Sequence, residues 1–423
     1  MLRAFFDTST LSGRQPPALL PRCGSCGLSK TCRSPKLPVV GEGLKRILIV
    51  GTAPTDSEDR HGSFLKGDGS RKLIHEFEEV GIQVQKDCWY TSALICAGSE
   101  ASVTGQRIED CRPNILSTIQ RLRPRVVVLL GKSPVSGCRV EDVATWRGAA
   151  YESVLGHYWD GGVGDERRWE GAVIPLHKPA MWICPIWSPE RLLYSTGRNN
   201  EVMTSRWRRH LKTIAELPEN GPHPNGPPQY ESRVDIVLDP AKVVSAIRKI
   251  TQAGGLTAFD YETTCLKPER PGAYIVSCSI CYMGRRTIAF MMDNEDVRDA
   301  LRLYLRSSVP KIASNLKFEE RWSIRHMSTR VRGWVWDTMQ NAHILNQCPE
   351  VSGLKFQAFV RLGQLAYHKH VEPYLRSTET GLNRVRDLRP RDLLLYNGLD
   401  SHLEWHVACS QAQEMNIELP GRN

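Results

Sequence analysis

Apolar positions along this chain recur in two periods. RILIVG (46–51) and RVVVLLG (125–131) are short unbroken apolar runs, the pattern of strands covered on both faces. CWYTSALI (88–95) reads as a further strand. Between them, RKLIHEFEEVG (71–81) and RIEDCRPNILSTIQRL (107–122) have helical spacing, and Pro113 is expected to shift the start of the second helix. Strands alternating with helices predict a parallel sheet in an α/β/α arrangement. The segment LPENGPHPNGPPQYESR (217–233) holds five Pro and two Gly and reads as an extended linker. The pattern then resumes. Residues 239–255 open with Asp239 as a cap and Pro240 in the first turn, and close on Gly. LTAFDYET (256–263) and PKIAS (310–314) predict strands, and YIVSCSICYM (274–283) with TIAFMM (287–292) predicts a hairpin. VWDTMQNAHILN (335–346) and LLLYNGLDSHLEW (393–405) predict helices. The expected organisation is an N-terminal extension (1–22), a first α/β domain (23–216), a linker (217–232) and a second α/β domain (233–423), without internal repeats.

Length and composition sharpen this picture. A chain of 423 residues suits two domains, and 41% hydrophobic residues suffice for two cores. Lys and Arg number 56 against 46 Asp and Glu, and the net charge of +10 suits a polyanionic partner such as nucleic acid. No apolar run approaches the roughly 20 residues of a membrane span, so no membrane association is expected. The first residues lack a secretory pattern, which predicts a cytoplasmic protein. Thirteen Cys are too sparse for a disulfide scaffold, and clustered thiols in a reducing compartment more often hold a metal.

AFDYETT (258–264) places Asp260 and Glu262 two residues apart in a β-prone run. Residues i and i+2 of a strand share a face, so the two carboxylates converge and need a cation. NLKFE (315–319) sits at a strand-to-helix transition. In the last predicted helix Tyr396 and Asp400 lie four residues apart, hence on one face. Acids gathered from a strand and separate helices suit a pair of divalent ions, the arrangement that favours phosphodiester cleavage.

FDYET, NLKFE, WDTM and YNGLD, in this order, resemble the proofreading 3′–5′ exonuclease of family A DNA polymerases and their phage relatives, members of the DEDD exonucleases. The resemblance covers about residues 233–415. It implies a ribonuclease-H-like fold, two Mg²⁺ or Mn²⁺ ions, and single-stranded 3′ ends of DNA as substrate. Asp260, Glu262 and Asp400 match the metal ligands, and Tyr396, which marks the tyrosine subtype, matches the residue that positions the attacking water. Glu319 stands where the family usually has Asp, as a ligand with a longer arm. Asn315 falls near the site, and Asp337 is expected to be structural or on the DNA side. Lys311, Lys317, Arg321 and Arg325 are candidates for the DNA backbone.

In the first domain, CGSCGLSKTC places Cys23 and Cys26 as C-x-x-C, with Cys32 following, and Cys96 and Cys111 come later. Two thiolates on one turn can chelate a metal, and spacing alone leaves zinc and an iron–sulfur cluster open. KRILIVG (45–51), TAPTDSEDRHGSFLKGDG, YTSALIC, CRP and RPRVVVLLG resemble the family 4 and 5 uracil-DNA glycosylases over about residues 20–215. The resemblance implies a [4Fe-4S] cluster on Cys23, Cys26, Cys96 and Cys111, with Cys32 as the substitute. It also implies an eroded catalytic site. Thr52 stands where family 4 has a functional Glu, Ser92 where an Asn reads uracil, and Ser188 where a His is usual. Phe64 remains as a base-stacking ring, and His177 lies outside the motif. The expected role is DNA binding without uracil excision.

A glycosylase-like domain joined to a proofreading-like exonuclease resembles phage replication proteins, placing the protein in the bacterial host cytoplasm. With Asn423 soon after the last motif, the polymerase is expected on a separate polypeptide. Two other readings remain: a non-catalytic DNA-binding and assembly subunit of a replisome, and an active uracil-DNA glycosylase with a remodelled site.

Overall fold

The computed structural model describes residues 20–131, 170–177, 180–194, 198–222, 228–347, 351–364, 367–368, 370–376 and 381–422. Most of the expected N-terminal extension and residues 223–227 of the expected linker lie outside the described residues. The chain divides into two compact units, Met1–Gly226 and Pro227–Asn423. Both are α/β. No helix among the described residues is long and apolar enough to cross a membrane.

The first unit is built on a five-stranded sheet in the order β2-β1-β3-β5-β4. These are β1 (Ile47–Gly51), β2 (Cys88–Ser92), β3 (Val126–Leu130), β4 (Ile174–His177) and β5 (Ala180–Ile186). All residues of β1 and β3 are buried, as their unbroken apolar runs require. The expected parallel sheet needs one correction: β4 pairs antiparallel with β5 at the edge. The helix expected over 71–81 runs over Asp68–Glu78. Glu58 organises the loop before it by accepting bonds from Thr55 N (2.9 Å), Leu65 N (2.7 Å) and Ser70 Oγ (3.2 Å). Strand β2 stops at Ser92 rather than continuing to 95, because Ala93 N and Leu94 N turn to the carbonyls of Gly51 and Thr52. Pro113 does not shift the start of its helix. The helix begins at Gly105, capped by the Thr104 hydroxyl, and continues through Pro113 to Leu122 at the loss of one backbone hydrogen bond.

The second unit has a six-stranded sheet in the order β11-β10-β7-β8-β9-β6. The strands are β6 (Val234–Ile236), β7 (Thr257–Thr263), β8 (Ile275–Tyr282), β9 (Arg286–Met291), β10 (Lys311–Ala313) and β11 (Trp334–Asp337). Strand β8 runs antiparallel to β7 and β9, and the remaining pairs are parallel. Five strands in the order β9-β8-β7-β10-β11, with the second antiparallel, give the ribonuclease-H-like arrangement. The helix expected from residue 335 starts later. Trp334–Asp337 is a strand, and the Asp337 carboxylate caps the helix Thr338–Leu345 through Met339 N at 2.9 Å.

The helix Pro390–Glu414 crosses this sheet and is buried over most of its surface. It comes closest at Gly398, where an added Cβ would overlap Val234 and meet the Ala289 Cβ at 3.3 Å. Lys311 is not available to a DNA backbone. It is wholly buried, and its ammonium bonds the carbonyls of Ser307, Val309 and Arg332 at 2.8–3.0 Å.

Candidate active site

Strand β7 lies inside the sheet between β8 and β10, so neither of its edges is free. Its two faces carry different chemistry. Phe259 and Tyr261 point into an apolar core with Trp322 and Tyr304, and the Tyr261 hydroxyl meets Ser323 Oγ at 3.1 Å. Asp260 and Glu262 point the other way, toward the helix Pro390–Glu414, as the alternation of strand side chains requires. That helix returns Asp400 to the same place. Ligand oxygens of Asp260, Glu262 and Asp400 all lie within 4.8 Å of one another, the one such triple of metal-ligating groups among the described residues.

The surroundings explain how three acids are held so close. Asn397 Nδ2 donates to Asp260 Oδ2 at 2.6 Å, and Asn397 Oδ1 accepts from Ser277 Oγ at 3.0 Å. Ser279 Oγ ties the helix backbone at Asn397 O, 2.7 Å away. The Lys355 ammonium bonds Asp400 Oδ1, and the Tyr367 hydroxyl donates to the same oxygen. Burial, then repulsion from Asp400, pushes the Asp260 pKa well above the usual carboxylate range, and Lys355 opposes this. Glu262 is raised by burial and then by Asp260 and Asp400.

Glu319 and Glu404 add two more buried carboxyls. Both are raised by burial first and by the neighbouring acids second. Each has an Oε2 without a hydrogen-bond partner. Glu319 therefore stands beside the triple but not within its 4.8 Å circle. Tyr396 is buried one turn before Asp400, with its ring 6.0 Å from that of Tyr367. Five gathered carboxyls, two of them with an unpartnered buried oxygen, fit hard divalent cations, which take oxygen ligands and offset the repulsion.

The remaining expected residues of this unit are scattered in role. Asn315 adopts the left-handed conformation (φ 66°) before the helix Leu316–Met327. Its backbone N–H and that of Leu316 donate to Asp337 at 2.9 and 3.1 Å, so Asp337 serves two helix starts as a structural anchor. Lys317 and Arg325 are exposed, and Arg321 pairs with Glu269 at 2.8 Å. Sequence reasoning passed over Lys355, Tyr367, Asn397 and Glu404. Asn397 and Glu404 had a signal, since they neighbour Tyr396 and follow Asp400 by one turn. Lys355 and Tyr367 had none.

In the first unit, a small cavity is lined by Cys23, Cys26, Cys96 and Cys111, together with Leu28, Leu94 and Asp110. Cys23 and Cys26 occupy one helical turn that closes on Gly27 in the left-handed region (φ 72°). Arg107 Nε holds this turn through Cys26 O at 3.1 Å. Cys96 Sγ accepts from Lys36 N at 3.3 Å, and Cys111 Sγ from Asn114 Nδ2 at 3.4 Å. Burial raises the Cys96 thiol pKa to about 11 and also raises that of Cys111. Cys32 lies beside Cys96. Thr52 and Ser188 are half-buried. Phe64 is 2% exposed, with the Tyr90 ring 5.4 Å away and tilted by 57°. Ser92 is buried and its hydroxyl is spent on Leu94 O at 2.5 Å. His177 closes β4, an edge strand.

Residues 38–212 match the model of the uracil DNA glycosylase superfamily. The type-4 uracil-DNA glycosylase of Archaeoglobus fulgidus is 29% identical over 111 residues, 26% of this chain and 55% of that protein. A DNA polymerase of Bacillus phage SP01 is 24% identical over 324 residues, 71% of this chain. The chain spans about half the length of the archaeal relative and 33% of the phage polymerase. Among solved structures, the Trypanosoma brucei RNase D–GMP complex overlaps 45% of this chain and 60% of its own, at 14% identity and a TM-score of 0.37. Brucella melitensis NrnC with bound Mg²⁺ overlaps 44% of this chain and 81% of its own, at 15% identity and a TM-score of 0.33. Residues 38–212 are thus similar to the uracil DNA glycosylase superfamily, and an acidic unit with ribonuclease-H-like strand order follows them in the same chain.

Proposed function

We propose that the second unit is a two-metal-dependent 3′–5′ DNA exonuclease of the proofreading type, joined to a glycosylase-like DNA-binding domain that does not excise uracil. The observation that carries this reading is the convergence of Asp260, Glu262 and Asp400 within 4.8 Å from a strand and a helix far apart in the chain. Asp260, Glu262 and Asp400 would hold the ions, with Glu319 beside them. Such ions supply an activated water and stabilise the departing oxygen. Tyr396 orients the water, Asn397 fixes Asp260, and the exposed Lys317 meets the DNA backbone. The similarity to a phage DNA polymerase supports a replicative setting with single-stranded 3′ ends as substrate. The proposed partner is a DNA polymerase; failure to co-elute with the candidate polymerase would remove that element.

For the first unit, we propose a structural [4Fe-4S] cluster on Cys23, Cys26, Cys96 and Cys111. Zinc with Zn–S bonds of about 2.3 Å holds four thiolates roughly 3.8 Å apart. Among the described residues no three thiols lie within 4.8 Å of one another, although four line one cavity, which favours the wider cluster. The spent Ser92 hydroxyl and the buried Phe64 ring support loss of uracil recognition, which requires a flipped base to be stacked and hydrogen-bonded.

The test is degradation of 5′-labelled single-stranded DNA with Mg²⁺ or Mn²⁺. Wild type should shorten it from the 3′ end, and Asp260→Ala should be slower by at least about 10²-fold, the scale of losing one charge-stabilising group. Equal degradation by both would leave the non-catalytic assembly subunit as the better reading. Uracil-containing DNA treated with the protein and then alkali should stay intact; strand breaks would mean an active glycosylase.

A further inference from the structure

Lys355 is the second residue of the helix Leu354–Leu362, on no motif, yet its ammonium lies inside the acid cluster. It bonds Asp400 Oδ1 and approaches the Tyr367 hydroxyl at 3.0 Å. The rings of Tyr367 and Tyr396 both lie against this ammonium, each with its centroid 4.6 Å from Nζ. Two aromatic faces and a carboxylate form a cation cradle. The same charge acts on Asp260, Glu262 and Glu404, so a single ammonium serves four acids. The Lys355 side chain is 25% exposed, so it has a path out of the cradle toward solvent.

We propose that Lys355 is a tethered counter-ion that holds the acid site together when it is free of metal and competes with the divalent ion for Asp400. The proposal rests on the assignment of Asp260, Glu262 and Asp400 as metal ligands. A carboxylate oxygen shared by an ammonium and a phenol is not free to ligate. An ion that takes this oxygen therefore has to displace Lys355, and part of its binding free energy is spent on that displacement. The consequence is a site that stays folded without metal and is occupied only above a threshold concentration of divalent ion. Lys355 is a positioning residue in this account, since it acts through Asp400.

The experiment is calorimetric titration of the full chain with Mn²⁺, comparing wild type, Lys355→Met, Lys355→Arg and Asp260→Asn, with thermal unfolding of each in chelator. Lys355→Met should bind Mn²⁺ about tenfold more tightly and melt lower in chelator, whereas Lys355→Arg should stay within about twofold of wild type. Wild-type or weaker affinity in Lys355→Met overturns the proposal. Asp260→Asn tests the underlying site: if it binds Mn²⁺ as wild type does, the metal assignment fails whatever Lys355 does. Should Lys355→Met not fold, amine labelling of the wild type read by peptide mass spectrometry decides. Lys355 should react faster in Mn²⁺ than in chelator, and an equal or slower rate refutes displacement.

Discussion

Neutralising Asp260 should separate stability from activity. In the ion-free protein its carboxyl lies within 4.8 Å of two others, and each ionised pair at that distance repels by about 3.5 kcal/mol at an effective dielectric constant near 20. Most of that energy is never realised. The raised pKa values of Asp260 and Glu262 mean that protons are taken up instead, and Lys355 offsets a further part. Asparagine keeps an oxygen for the Asn397 Nδ2 bond and has almost the same volume, so no cavity is created. The net expectation for Asp260→Asn in chelator at pH 8, where the acids are most ionised, is a gain of about 1–3 kcal/mol. For a unit of this size that is a rise of roughly 3–10 °C in melting temperature. Saturating Mn²⁺ should reverse the order, because wild type gains about 2.7 kcal/mol at a hundredfold excess over Kd while the variant gains little. Differential scanning calorimetry with and without Mn²⁺ reads both effects. A variant less stable than wild type in chelator would show that the cluster is not under repulsion and does not require a cation.

Three further outcomes follow from other parts of the fold. Gly398→Ala should destabilise the second unit by about 1–3 kcal/mol in urea unfolding, because the new methyl overlaps Val234; a neutral result would mean that the helix can lift off β6 without loss. Burial lowers the His406 pKa to about 4 from 6.5, so the neutral form is favoured by folding. Its contribution is complete above pH 6.5 and falls away toward pH 4, by about 2–3 kcal/mol; wild type should lose that much more stability than His406→Gln over this range, and parallel pH curves would count against it. Anaerobically purified protein should be brown with a band near ~400 nm, as an iron–sulfur cluster requires. Cys96→Ser and Cys111→Ser should lose the band while Cys32→Ser keeps it. A colourless wild type with stoichiometric zinc would contradict the cofactor assignment.

The sequence carried the parts of this architecture whose signal is local. Ile47–Val50 and Val126–Leu130 are apolar throughout because both faces of their sheet are covered, and Asp239–Pro240 mark a helix start by capping chemistry alone. The D-x-E pair on β7 was legible because a strand has a period of two. Features set by long-range contacts were less visible. Trp334–Asp337 is a strand only because it pairs with β10, and the apolar turn that follows made it read as helix. Pro113 is tolerated because the helix around it is fixed at Thr104 and packed through Ile108 and Ile115. Lys311, read as a surface base, is drawn inside by three carbonyls that no local pattern announces. Lys355 and Tyr367 reach Asp400 from 45 and 33 residues away, with no periodicity to link them.

The most direct measurement is anomalous diffraction at the manganese edge from crystals grown with Mn²⁺. Density peaks bounded by Asp260, Glu262 and Asp400, with the Lys355 ammonium moved off Asp400, are the predicted result. Well-ordered carboxylates with no peak between them, or manganese bound only elsewhere, would contradict it.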